Sequence, residues 1–372
     1  MVEEVHRSIV TLGGRRKVAH HKRPGIISGL VYNSIRGITG SVGVGLDVVL
    51  KRFTFLLDKQ EWTPRHEAAL AILNGVIGDY LEDNNNPLDI KMKFRRSGVQ
   101  VNVNDPSFSE ALQQHGGRTV LMIHGLCMND LQWEKNGHNH GEKLQQYFGY
   151  LPLYLHYNTG LHISENGRKL ATLMQEWNNS EQAPEKVLIL AHSMGGLVIR
   201  SAMYYGMKAG HKWPEKINKM IFLGTPHHGA MLERGGNWID NVLEKNAFTA
   251  PFSRIGKIRS SGVTDLRYGN ILEEDWKHVD RFRDRGDYRI PVPLPSHLSC
   301  YAIAASTSKK ANPKERLWGD GLVTPDSAFG NHSELKRNLQ IPATHTWIAR
   351  ETSHWDLISQ KEVYEKIKNW LS

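Results

Sequence analysis

The chain has 372 residues, 40% hydrophobic and 23% charged, which is enough apolar material for a real core and too much for a disordered protein. Lys and Arg total 47 against 38 Asp and Glu, a formal net charge of +9 that speaks to association and not to fold. Two cysteines, Cys127 and Cys300, exclude a disulfide framework and a cysteine-built zinc site.

Residues 1–24 form a basic arm, with Arg7, Arg15, Arg16, Lys17, Lys22 and Arg23 set against Glu3 and Glu4. It is expected to be solvated. No nucleic-acid motif and few aromatics accompany it, so no nucleic-acid partner is expected. No apolar core follows a basic start, and no run of about 18 apolar residues occurs, so the expected compartment is the cytoplasm.

Residues 25–95 read as an N-terminal helical region. Apolar stripes of helical period run through Ile27–Ile38, Leu46–Leu57 and Ala68–Leu81, the last ending before Asn84-Asn85-Asn86-Pro87. The expectation is a helical layer docked on the main domain. The alternative is a peripheral membrane contact made with the basic arm. Oligomeric state is not legible.

From about residue 97 short β-rich runs alternate with helices. Strands are predicted at Arg118–Ile123, Leu151–Tyr157, Val187–Ala191, Ile217–Leu223, Leu298–Ala305 and Thr344–Ala349. Helices are predicted at Gly167–Trp177, Gly195–Tyr205 and Glu362–Leu371. Such alternation specifies a mostly parallel, doubly wound α/β sheet over residues 96–372. Residues 230–297, rich in charge, Trp and Pro, interrupt it and are expected to form an inserted cap or lid above the strand C-termini.

The chemistry begins at Ala191-His192-Ser193-Met194-Gly195-Gly196, close to the Gly-x-Ser-x-Gly nucleophile elbow. A buried strand, then serine, then a helix is the context that elbow requires. The residues two positions either side of Ser193, Ala191 and Gly195, are small, as a sharp strand-to-helix turn demands. The loop Ile123-His124-Gly125-Leu126-Cys127 follows an earlier strand. Its Leu126 N–H, with the Met194 N–H, is expected to form the oxyanion hole an acyl-transfer site needs. His124 is expected to hold that loop, and Cys127 to line the pocket.

The elbow's chain order is serine, acid, histidine, so the base must lie late. His354 follows the last strand and precedes the last helix; His345, inside that strand, and His332, before it, are weaker candidates. Asp320, between Gly319 and Gly321, is favoured as the acid over Asp326, which reads as a cap or turn residue. Asp356 is expected to serve its own loop.

Together with Gly224-Thr225-Pro226-His227-His228-Gly229, these motifs resemble bacterial serine esterases and lipases of the α/β-hydrolase superfamily. They are most similar to the branch that includes the hydrolase domain of GPI inositol-deacylase and the triacylglycerol lipases. The resemblance covers roughly residues 95–372. It implies the α/β-hydrolase fold, Ser193 as nucleophile, Asp320 as acid and His354 as base. It also implies a small-molecule or lipid ester substrate, with His227 and His228 structural or pocket-lining. The expected function is carboxylic-ester hydrolysis through an acyl-enzyme. Alternatives are acyl transfer, amide or thioester hydrolysis, or binding without catalysis. No cofactor is expected, since no Walker loop or dinucleotide fingerprint occurs. No metal is expected either: His20-His21 and His138-Asn139-His140 are too short to converge and read as exposed loop histidines.

Overall fold

The computed structural model describes residues 63–230, 260–277, 287–310 and 319–372. The basic arm and the stripes up to residue 62 lie outside the described residues, as do 231–259 and 278–286 of the expected lid.

The sheet has eight strands: β1 (Lys93–Arg96), β2 (Val99–Gln100), β3 (Arg118–Ile123), β4 (Leu151–His156), β5 (Lys186–His192), β6 (Ile217–Leu223), β7 (Ser299–Ala305) and β8 (Thr346–Ala349). Their spatial order is β2-β1-β4-β3-β5-β6-β7-β8. From β4 to β8 every pairing is parallel; β1 is antiparallel to β4 and to β2. Strand β5 is central, and its continuous apolar run is explained by burial on both faces. Val187, Ile189 and Ala191 enter one core, Leu188 and Leu190 the other.

The first core is covered by α1 (Pro64–Asp83), α2 (Pro106–Gln114), α4 (Ile163–Asn179), α5 (Met194–Lys208) and α6 (Ser261–Tyr268). On the second face lie α3 (His140–Phe148) and α8 (Lys361–Leu371), burying Leu144, Val363 and Ile367. Helices on both faces of a mostly parallel sheet with an antiparallel edge make the expected α/β-hydrolase fold. A one-turn helix, α7 (Pro325–Ala328), lies between β7 and β8.

The edge hairpin β1–β2 was not expected. Lys93-Phe94-Arg95-Arg96 looks polar, and only tertiary pairing with β4 makes it a strand. It begins inside the segment read as helical, so the helical part of the described N-terminal region ends at Asp83.

Helix α1 starts at a capping box, in which the Thr63 side chain accepts from His66 N–H, with Pro64 in the first turn. Its glycines are explained by docking. A Cβ on Gly75 would stand 2.3 Å from Cys127 Sγ, and one on Gly78 would stand 1.8 Å from Asn158 Oδ1. Asn158 Nδ2 donates to the Gly78 carbonyl at 2.9 Å, and Ser260 Oγ to the Gly75 carbonyl at 2.7 Å. The helix is thus held to the loops after β3 and β4. Within the insertion, α6 buries Val263 and Leu266 in the first core.

Candidate active site

Strand β5 ends at His192 and α5 begins at Met194, which leaves Ser193 to make the whole turn. Its backbone sits at φ 53°, ψ −124°, a strained conformation for a residue with a side chain. The Ser193 N–H donates to the Leu223 carbonyl at 2.9 Å, pinning the turn to the end of β6. The Ser193 hydroxyl does not cap its own helix, so it is not engaged in that local bond. Glycine is required beside it for space: a Cβ on Gly195 would lie 2.4 Å from the Ile123 carbonyl, and one on Gly196 2.0 Å from Thr225 Oγ1.

The same crowding brings the loop after β3 against the elbow. A Cβ on Gly125 would stand 2.9 Å from Ser193 Cβ. The loop is braced from β4: Tyr157 donates its hydroxyl to the His124 carbonyl at 2.7 Å, and its ring stacks on His124 at 4.5 Å. The Cys127 N–H donates to Thr159 Oγ1 at 3.1 Å. Among the described residues, the Leu126 and Met194 N–H groups donate to no protein acceptor, and Met194 heads α5, where helix N–H groups are unpaired. Cys127 faces Gly75 of α1, where a Cβ would stand 2.3 Å from its Sγ, and burial pushes its thiol up to about 12.

Asp320 and His354, 34 residues apart, meet directly: His354 Nδ1 and Asp320 Oδ2 are 2.8 Å apart, both side chains buried. The other carboxylate oxygen of Asp320 accepts from the Leu322 and Val323 N–H groups, each at 2.9 Å. Gly319, at φ +52°, permits this turn, since a Cβ there would meet the Val323 carbonyl at 2.2 Å. His354 reaches the elbow through shared neighbours. Its carbonyl bonds His192 Nε2 at 3.0 Å, and a Cβ on Gly224 would lie 2.9 Å from His354 Cε1. Gly224 follows Leu223, the acceptor of the Ser193 N–H.

The weaker candidates fall elsewhere. Asp326 bonds Asn331. Asp356 accepts from Ser353 Oγ at 2.6 Å and pairs with Lys135 at 2.8 Å. His345 lies in a 3-10 turn before β8, not inside the strand, and bonds the Cys300 carbonyl. His332 packs on His228.

Several histidines are more buried than their polar surroundings suggest. His138 and His140 are not exposed: they bond each other at 2.8 Å, and His140 bonds the Leu357 carbonyl. Burial pushes His140 down to about 3, and His124 and His228 to about 4. Burial also drives His192 and His227 well below the ordinary 6.5. Reading the sequence overlooked Arg200, which is buried in α5 with Nδ1 of His227 at 3.3 Å and the Val292 carbonyl at 2.8 Å. The available signal was its place in a helix that is apolar nearly all round.

Over residues 114–307, just over half its length, the sequence matches the PGAP1-like alpha/beta domain. The chain belongs to that family. The PGAP1-like span holds the elbow and the loop after β3, and ends before Asp320 and His354. No curated protein matches the chain. Among solved structures, a mature Bacillus licheniformis lipase is 18% identical, covering 68% of this chain and 92% of its own, with a TM-score of 0.44. A Thermogutta terrifontis esterase is 15% identical over 77% of this chain and 94% of its own, TM-score 0.40. The Bacillus subtilis naproxen esterase is 10% identical over 84% and 100%, TM-score 0.39.

Proposed function

We propose that this PGAP1-like protein is a serine hydrolase of carboxylic esters, an esterase or lipase, in which Ser193 is nucleophile, His354 base and Asp320 acid. The observation that carries the reading is the buried Asp320–His354 hydrogen bond, with His354 against Gly224, the residue after the Leu223 carbonyl that accepts from the strained Ser193. With Nδ1 turned to the carboxylate, the neutral imidazole of His354 keeps its free lone pair on Nε2, the atom that takes the serine proton. Asp320, fixed by two backbone N–H groups, holds that tautomer and stabilises the imidazolium.

In the first half-reaction Ser193 Oγ bonds to the ester carbonyl carbon and its proton passes to His354. The Leu126 and Met194 N–H groups receive the developing oxyanion. Collapse breaks the bond to the alcohol oxygen, which leaves with the proton from His354. Water, deprotonated by His354, then attacks the acyl-enzyme and releases the acid and Ser193. No cofactor takes part.

The test is Ser193→Ala against p-nitrophenyl esters of graded chain length. Hydrolysis is expected to fall about 10⁴-fold or more, with the thermal midpoint unchanged. Retention of a tenth of the activity overturns the mechanism. Alcohols and amines added as acceptors separate hydrolysis from acyl transfer by the products formed.

A further inference from the structure

On the first face of the sheet, two helical turns beyond Ser193 along α5, a groove of about 490 Å³ opens between that helix and the segment Val292–Pro295. Met203, Met207, Met220, Tyr204 and Leu294 line it. Thioether side chains adapt to flexible apolar ligands, and Pro293 and Pro295 remove two backbone donors from the wall. At about 30 Å³ per water-sized group, the space holds on the order of sixteen methylenes.

At the wall of this apolar space stands Arg200. It is 6% exposed and makes no ion pair among the described residues; its hydrogen bonds go to an imidazole and a carbonyl, its Nε has none, and Asp275, the carboxylate that acts on it through space, accepts instead from the Ile271, Leu272 and Ile290 N–H groups. Burial lowers its guanidinium only to about 10, so it remains a cation at neutral pH. Among the described residues, the one other charge lining the groove is also a cation, Lys208, held over the Tyr204 ring at 5.5 Å. A buried charge with no carboxylate in direct contact costs several kcal/mol unless something pairs with it. A core arginine beside an apolar groove complements a ligand with an anionic head and a long apolar tail.

We infer that this groove binds a long-chain carboxylate, a free fatty acid, with its head on Arg200 and its chain along Met203, Met207 and Leu294. The inference does not depend on the chemistry assigned to Ser193. The groove's lining excludes Ser193, Asp320 and His354, so an occupant here is not a substrate poised for attack.

The experiment uses the full-length protein with cis-parinaric acid, a fluorescent C18 carboxylate, its methyl ester, and a diazirine-bearing palmitate for photolabelling. Binding of the acid is expected, with the methyl ester at least tenfold weaker. Labelled peptides should contain Met203, Met207 or residues 292–295. Arg200→Gln and Met207→Glu should each weaken binding at least tenfold, while Lys208→Ala changes it less than threefold. Met207 is 51% exposed, so its substitution is informative even if Arg200→Gln fails to fold. Equal affinity for acid and ester overturns the proposal. So does labelling confined to the loops around Ser193, or a loss that follows Lys208 while Met207→Glu binds normally.

Discussion

His192 and His354 sit with ring centroids 4.8 Å apart, and both are buried. His354 has a carboxylate on Nδ1, so a proton arriving on the ring meets a countercharge. Among the described residues, His192 has only the His354 carbonyl on Nε2, and its Nδ1 is buried without a partner. Burial therefore keeps His192 neutral, with the positive charge His354 can carry adding to the effect. The same side chain at the same depth is fitted for proton transfer in one place and for holding a loop in the other. What differs is the partner that each fold position supplies.

The largest effect expected from breaking this contrast is at Asp320. Asp320→Asn removes the countercharge and reverses the tautomer preference of His354, and kcat should fall about 10⁴-fold. A circular dichroism spectrum unchanged from the parent would show that geometry survived. Loss of less than tenfold would leave the two histidines chemically equivalent.

The neutral histidines as a group predict the next effect. Below pH 6.5 the unfolded chain takes up protons that His124, His140, His192, His227 and His228 refuse in the folded state, so acid favours unfolding. Their contribution is whole above 6.5 and is lost as pH falls toward 4, the folded value of His124 and His228. Each costs up to about 1.4 kcal/mol per pH unit in that window. Differential scanning calorimetry from pH 7 to 4 should show a steep fall in Tm; a flat profile contradicts the buried neutral state.

His192→Leu should cost about 1–3 kcal/mol, because a ring is lost from a filled site and the His354 carbonyl loses its donor. Urea denaturation measures this, and kcat per folded molecule should remain within tenfold of the parent. The smallest effect belongs to Asp326→Asn, half-buried in the first turn of α7: less than about 0.5 kcal/mol and no change in hydrolysis. If Asp326→Asn abolishes turnover while Asp320→Asn does not, the acid has been misassigned.

The candidate site was legible where chemistry and local structure coincide. Val187–Ala191 reads as a doubly buried strand, and the small residues flanking Ser193 follow from a turn completed in one residue. The Gly319-Asp320-Gly321 and Ser353-His354 segments could be named by chain order, because the fold must bring the last loops to the end of the central strand. The buried histidines could not be read, since His138-Asn139-His140 looks like any polar loop until Leu357 and Tyr364 close over it.

The sequence by itself determined the alternation of strands and helices and the strand-serine-helix turn at Ser193, because strand and helix periods and turn chemistry are local. Tertiary structure decided the β1–β2 edge, the docking of α1 through Gly75 and Gly78, the contact between Asp320 and His354, and the burial of Arg200. Each depends on which distant backbone approaches and how much water it removes, and neither proximity nor desolvation is a property of a residue's neighbours in the chain.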